Sequence, residues 1–541
     1  MIDRIIGFSI KNKLIVGVLV LVLIGWGFYS ATKIPLDAVP DITTNQVQII
    51  TLTSTLATQE VEQFITAPVE IAMANIPDVV EIRSISRFGI SVVTVVFEDA
   101  VDIYRARQLI SEQLKVAKEQ IPEEFGEPEL APITTGLGEV YQYVLHTLPG
   151  YDTVYSDMDL RTINDWIVRR QLAGTPGVIE VSGWGGHLKQ YEVAINPERL
   201  RGMDLSLSDV FEAVQKNNEN TGGSYIEKRF NTYFIRGEGL VKSLQDIEKI
   251  VVKTVNDKPV LIRDVAKVQL GSAPRYGAVT WGGKGEVVGG QALMLKGENS
   301  YQVVQAIKER IETIKKSLPE GVVMEAFIDR SELIGRAIRT VTTNLVEGGL
   351  IVIFILVLLL GNLRAGLVVA SVIPLSMLFA LGMMHLFGVS ANLMSLGAID
   401  FGIIVDGAVI IVESIIHRLH KQFPNQTLSQ SEMDNTVYDA SSRIRRSAAF
   451  GEIIILIVYL PILALVGIEG KMFKPMAQTV SFAILGAFIL SLTYVPMMAA
   501  FFLDRKISAK ERVADNIMRV LQRWYAPALN FSLSNKPVVI L

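Results

Sequence analysis

Cysteine is absent from this 541-residue chain, which excludes disulfides, thiolate catalysis and thiolate metal ligands. Also missing are the phosphate-cradling G-x-x-x-x-G-K-[ST] loop, the H-E-x-x-H metallopeptidase helix and the G-x-S-x-G nucleophile elbow. The nearest glycine cluster, Trp281-Gly-Gly-Lys-Gly-Glu286, lacks both the spacing and the hydroxyl. Neither sign of charge dominates. A formal net charge of −4 gives no nucleic-acid footprint. A chain without a nucleotide site or a catalytic constellation is predicted not to be an enzyme, and no resident cofactor is expected. Any work it does draws on an ion gradient or on a partner.

What the chain has in quantity is apolar surface. Half of its residues are hydrophobic and its mean hydropathy is +0.37, too oily for a soluble protein of this size. Apolar runs predict membrane spans at about Leu14–Tyr29, Leu345–Leu360, Leu367–Phe387, Asn392–Ile416, Ala449–Val466 and Val480–Leu503. No small-residue cleavage site follows the first run, so it is read as an anchor. Arg4, Lys11 and Lys13 precede it. Arg364, Arg418, Lys421, Arg443, Arg445, Arg446, Arg505, Lys506 and Lys510 fall in loops on the same side, while Gly388–Ala391 and Gly467–Lys474 form short loops opposite. The positive-inside rule then puts the N-terminus in the cytoplasm and the large region from about Ala31 to Arg339 across the membrane.

One apolar run carries acids. Asn392–Glu413 is long enough to cross a bilayer yet contains Asp400, Asp406 and Glu413. A carboxylate at mid-membrane costs about 2.5–3.5 kcal/mol on insertion scales, so such residues are rare and usually functional. On a continuous helix Asp406 and Glu413 lie within about 20° of each other, with Asp400 about 120° round from Asp406. Such an arrangement suits stations for a proton or cation, and Asp406, flanked by apolar residues on both sides, is the relay candidate. Glu413, near His417-Arg418, and Asp400 are also open to snorkelling toward water. Glu452, near the start of the next span, is a weaker candidate expected to reach water. Gly397, Gly402 and Gly407 recur beside the acids, where small residues admit a close partner helix. Pro374, Pro461 and Pro496 are expected to kink or loosen their spans.

The large region reads as mixed α/β. Val47–Thr53, Val92–Phe97, Val178–Val181 and Tyr191–Ile195 have strand character, and Glu60–Ala74, Ile103–Ile121, Ser206–Asn217 and Gln302–Leu318 have helical spacing. "IPDVVEIRS" and "TPGVIEVSG" occupy equivalent places in two βαβ-type subdomains, the second interrupted by an insert at about 185–268. A second echo pairs Phe8-Ser-Ile-Lys-Asn-Lys-Leu-Ile-Val with Phe531-Ser-Leu-Ser-Asn-Lys-Pro-Val-Val. It suggests one repeat of a two-repeat transporter, ending as the second begins.

The segments "LDAVPDIT", "RSISRFGIS", "ITTGLGEVY", "DWIVRRQL", "NNENTGGSYIEKR", "GNLRAGLVVASVIPLSM", "SANLMSLGAIDFGIIVDGAVIIVE" and "GIEGKMFKPMAQT", in this order, resemble resistance–nodulation–division efflux pumps. The similarity is closest to the heavy-metal branch of cobalt–zinc–cadmium type. The resemblance implies a proton-driven antiporter of divalent cations in a Gram-negative inner membrane. It would work as a homotrimer with a periplasmic adaptor protein, an outer-membrane channel and the second half of the same pump, surrounded by membrane lipid. Asp400, Asp406 and Glu413 would serve proton or cation translocation, partnered by a lysine on the second repeat. It further implies a membrane α-helical fold of six spans and the stub of a seventh, with two ferredoxin-like βαβ porter subdomains and an inserted docking subdomain. The expected divisions are 1–32 for the N-terminus and first span, 33–137 for the first porter subdomain and 138–184 with 269–336 for the second. The docking insert takes 185–268, spans two to six 337–503, an amphipathic link 504–536 and the stub 537–541.

Soft copper(I) and silver prefer thioether or thiolate donors. The acid-bearing span has Met394 near its mouth and then Ile, Val, Gly and Ala, which favours a divalent ion. Candidate metal ligands are Glu139 in "GLGEVY" and Asp165 in "DWIV", each also open to being a surface or cap carboxylate. His146 and His187 lack a partner at ligand spacing and are expected to face solvent. Met383-Met384-His385 is expected to be packing. The alternatives are export of copper, silver or drugs, or a half-subunit that does not transport.

Overall fold

The computed structural model describes the whole chain apart from residues 1, 54–55, 256, 276, 284, 398, 508–512, 537–538 and 540–541. The side chains of Arg445 and Arg446, all of Lys510 and most of the expected stub at 537–541 lie outside the described residues. The chain forms two compact units. One comprises residues 1–140, 294–305 and 329–541; the other comprises 141–293 and 306–328.

In the first unit, helix α1 (Lys13–Ala31) leads into a four-stranded antiparallel sheet of β1 (Gln46–Leu52), β2 (Val79–Arg87), β3 (Ile90–Phe97) and β4 (Pro128–Leu130), ordered β4-β1-β3-β2. Alternation puts Val47, Ile49 and Thr51 of β1 on the buried face. Helix α2 (Ile103–Gln120) is capped by Asp102, whose carboxylate accepts the Tyr104 and Arg105 N–H groups. Its stripe of Ala106, Ile110, Leu114 and Ala117 closes the core over Val93, Val95 and Phe97.

The second unit repeats this wiring. Strands β5 (Glu139–Thr147), β6 (Val178–Trp184), β7 (Val288–Met294) and β8 (Val322–Asp329) are ordered β8-β5-β7-β6, with α3 (Ser300–Lys315) before β8. Both sheets thus show the split βαβ order. The helix after the first strand of each contains a π-helical turn, Glu62–Thr66 in one and Asn164–Val168 in the other. In the second unit the Tyr143 hydroxyl donates to Asn164 Oδ1 at 2.8 Å, and Asn164 Nδ2 donates to the Gly289 carbonyl at 3.2 Å. Burial raises the Tyr143 phenol above its ordinary value, consistent with its role as donor. Between β6 and β7 lies an insert with its own core of Leu200, Val210, Ile247, Ile262 and Val265. An antiparallel ladder of 189–195 with 266–272 closes its base, and a hairpin of Thr221–Lys228 and Asn231–Gly237 is exposed along its length.

Seven further helices of the first unit are α4 (Arg330–Leu360), α5 (Leu363–Leu386, broken at Ser371), α6 (Leu393–Gly397), α7 (Phe401–Gln422), α8 (Gln430–Leu463), α9 (Gly467–Leu492) and α10 (Tyr494–Phe502). Four of the described helices, α1, α4, α5 and α9, are long and apolar enough to cross a membrane. The two halves of α8, inclined at 47°, make a fifth if they count as one span. The remaining predicted span, fourth in chain order, contains α7, which its acids and basic end keep below that standard. Pro374 and Pro496 sit in the first turn after the breaks at Ser371 and Thr493, where a missing N–H is tolerated. Two expectations need correction. Helix α4 begins at Arg330 and not beyond Arg339. The predicted loop at Gly467–Lys474 is the first two turns of α9, polar because Lys471 reaches the Asp99 carboxylate at 2.6 Å and the Thr43 carbonyl at 2.9 Å.

Ion pairs fasten both ends of this bundle. At one end Lys13 meets Asp434 and Arg364 meets Asp504, each at 2.6 Å. At the other, Asp37 accepts from both Arg330 Nε and Nη2 and from the Ser300 hydroxyl, while Arg330 Nη1 reaches the Leu137 carbonyl. Arg330 is 10% exposed. Removing one partner of such a pair strands the other charge. Arg330→Ala is expected to destabilise the chain by about 2–3 kcal/mol, measured by thermal unfolding in detergent, with Arg330→Lys recovering part of the loss.

Candidate functional site

The acid-bearing stretch is not one helix. Asn392 and Ser395 cap each other's backbone N–H groups, at 2.9 Å both ways, to start the short α6. The chain then opens and restarts at Phe401. Asp400 is the N-cap of α7, with extended backbone (φ −99°, ψ 118°) and its carboxylate accepting the Gly402 N–H at 2.8 Å. The angular position expected for Asp400 on a continuous helix therefore does not apply. The restart leaves the first N–H groups of α7 without helical partners, and an acceptor at the cap meets that need.

Asp406 and Glu413 both lie within α7 and share a face. Ile404, Val405, Ala408, Ile411, Val412 and Ile415 form the buried stripe, and Gly402, Asp406, Ile410, Glu413 and His417 form the exposed one. Asp406 was expected to be enclosed in apolar surroundings. It is exposed instead, because none of the described helices covers that face.

A fourth acid faces the other way. Glu452, expected to reach water, is 4% exposed, and neither carboxyl oxygen has a hydrogen-bond partner among the described residues. It is seated on Gly407: a Cβ built there would come within 1.7 Å of Glu452 Oε1. The glycine expected to admit a partner helix thus admits a side chain of α8. Gly397 has open space where its Cβ would point.

The other candidates lie apart. Glu139 opens β5 after a turn in which Gly136 N–H reaches the Thr43 hydroxyl and Thr134 bonds the Met294 carbonyl. Burial lowers the nearby Lys296 ammonium from its ordinary value, with Asp41 and Asp99 pulling it back. Asp165 stands in the π-turn between Arg161 at 2.8 Å and Arg169 at 3.1 Å, so both its oxygens are engaged. His146 pairs with Glu325 at 3.1 Å and His187 with Asp157, both rings remaining partly exposed to solvent. Among the described residues no three His, Asp or Glu side chains group closely enough to hold a metal ion. Met384 is fully buried and receives the Thr479 hydroxyl, and His385 packs edge-on against Tyr29, as packing residues do.

The sequence matches the AcrB/AcrD/AcrF family over residues 5–541. It is 46% identical to the cobalt-zinc-cadmium resistance protein CzcA of Cupriavidus metallidurans, over 100% of this chain and 51% of that protein. With the cation efflux system protein CusA of Escherichia coli K12 it shares 36%, over 98% of this chain and 50% of the other. The crystal structure of a heavy metal efflux pump superimposes with a TM-score of 0.82 at 34% identity, covering 92% of this chain and 48% of that one. The chain spans about half the length of the curated relatives it matches.

The cap assigned to Asp400 separates from its charge by substitution. Asp400→Ala should cost about 1 kcal/mol of stability, whereas Asp400→Asn, which keeps the acceptor, should cost a few tenths; thermal unfolding of the purified chain measures both.

Proposed function

The chain belongs to the AcrB/AcrD/AcrF family, in its heavy-metal cation efflux branch, and on that premise we propose that it supplies one repeat of a proton-driven exporter of divalent cations. The observation that carries this reading is the exposed stripe of α7. Two carboxylates, Asp406 and Glu413, stand on one face of an apolar helix that none of the described residues covers. Charge in that position is costly in a bilayer unless another element answers it. A helix of the remaining half of the pump, bearing a cation, is what the face is shaped to receive. The acids themselves mark a route for protons.

In this mechanism a proton entering from the periplasmic side neutralises Asp406, with Glu413 and Asp400 as neighbouring stations. Loss of that charge loosens its attraction to the opposing cation, and α7 shifts against its partner. The displacement passes to the two split βαβ subdomains, read as porter subdomains, which open and close around the cargo. The membrane potential contributes about 2.3 kcal/mol per charge per 100 mV. The cargo is assigned as zinc, cobalt or cadmium because α7 carries no methionine around its acids, whereas copper(I) and silver prefer such soft thioether donors. Glu139 and Asp165 are the periplasmic residues proposed to meet it, Asp165 only after giving up its arginines. The working unit is proposed as a homotrimer in the inner membrane. A periplasmic adaptor and an outer-membrane channel complete the path, and the exposed hairpin of the insert lies in the region proposed for docking.

Asp406→Asn in the complete pump is expected to abolish growth in otherwise tolerated zinc, cobalt or cadmium while leaving the assembly intact by size-exclusion chromatography. Wild-type resistance in that variant would remove Asp406 from the relay.

A further inference from the structure

The three acids of α7 do not account for Glu452. Its carboxyl is enclosed by this chain's own helices at 4% exposure, and both oxygens lack a hydrogen-bond partner among the described residues. Its end rests on the bare α-carbon of Gly407, the residue next to Asp406. A carboxylate held dry and without donors is expensive to keep ionised, whereas the neutral acid is not. A residue that served only to fill space at this contact would have no use for a carboxyl. A buried polar group with no partner at a helix–helix contact therefore calls for an explanation.

We propose that Glu452 is a second proton-carrying group, paired with Asp406 across the α7–α8 contact at Gly407. The pair holds one proton: Glu452 releases it toward the uncovered face of α7, where Asp406 takes one up, leaving Glu452 ionised and Asp406 neutral, and the reverse exchange resets the pair, with no direct hydrogen bond between the two carboxyls. The pair's total charge stays at minus one throughout. Asp406 is the member open to the uncovered face of α7, and Glu452 is the member sealed inside. The pair therefore provides a place to store a proton out of contact with both aqueous sides. Gly407 matters because any side chain there would take the seat of the Glu452 carboxyl. This inference rests on the proton-coupled reading above and adds a residue to it.

The test has one part that does not depend on transport. The purified chain in phosphatidylethanolamine–phosphatidylglycerol bilayers is treated with dicyclohexylcarbodiimide, which attaches to protonated carboxyls in apolar surroundings, and the adduct is located by peptide mass spectrometry. Modification at Glu452 at neutral pH is expected, absent in Glu452→Gln and several-fold weaker in Asp406→Asn. No adduct at Glu452 between pH 5 and pH 8 would overturn the proposal. In the complete pump, zinc-driven proton flux in proteoliposomes should fall at least tenfold in Glu452→Gln and Gly407→Leu. Glu452→Asp, which keeps the titrating group, should retain a shifted pH profile. Flux and profile in Glu452→Gln superimposable on wild type would also overturn it. Wild-type vesicles that move no protons with zinc would instead remove the proton-coupled reading, while the labelling result at Glu452 still stands or falls by itself.

Discussion

A carboxylate in a bilayer must be answered by something, and the helices of this chain are arranged around four such debts. Asp400 is answered locally, by a backbone N–H that exists only because the helix stops and restarts. Asp406 and Glu413 are turned outward, onto a face left for another element. Glu452 is turned inward, into a site with no hydrogen-bond donor among the described residues. An apolar helix could have crossed the membrane at no such cost. The packing follows from these choices: α7 buries one stripe of Ile, Val and Ala, gives up a side chain at Gly407, and leaves its acids on the opposite edge.

The α/β part uses one arrangement twice. Two sheets of the same strand order, each with a π-turn in the same helix, show one arrangement used twice, with an insert added to the second. A π-turn widens a helix by one residue and often marks a functional position. In the first copy the turn ends at Thr66, whose hydroxyl lies 2.8 Å from both Ser86 and Ser91; in the second it begins at Asn164, bonded to Tyr143. The two copies kept the backbone device and changed the polar side chains that satisfy it.

Much of this was legible in the sequence. The strands around Val47, Val92 and Val178 and the helices at 103–121 and 206–217 came from local alternation and apolar spacing, which tertiary packing did not override. Asp406 and Glu413 share a face because the chain between them is continuous helix. Asp400 misled, since the periodicity of an apolar run does not reveal a break; the signal was the cap-forming Asp400-Phe-Gly402 after Ser395. Glu452 misled for a different reason. Its burial depends on which helix lies against α8, and sequence spacing within one helix is silent on its neighbours. Gly407 was the available hint, but a glycine shows that something approaches closely without showing what. Lys471 looked like a loop residue because polarity was equated with water, when its partner is the Asp99 carboxylate.

Helix α4 runs for 31 residues without interruption, and β8 passes into it with no residue between. At 1.5 Å per residue it is about 46 Å long, and at its first residue Arg330 is gripped by Asp37. A stiff rod held near one end acts as a lever. A tilt of 10° about that grip would carry its far end through about 8 Å by the same geometry. Small rearrangements at the Asp37 fulcrum and large ones at Leu360 are thus two readings of one motion. The chain needs no flexible linker there to convert the one into the other.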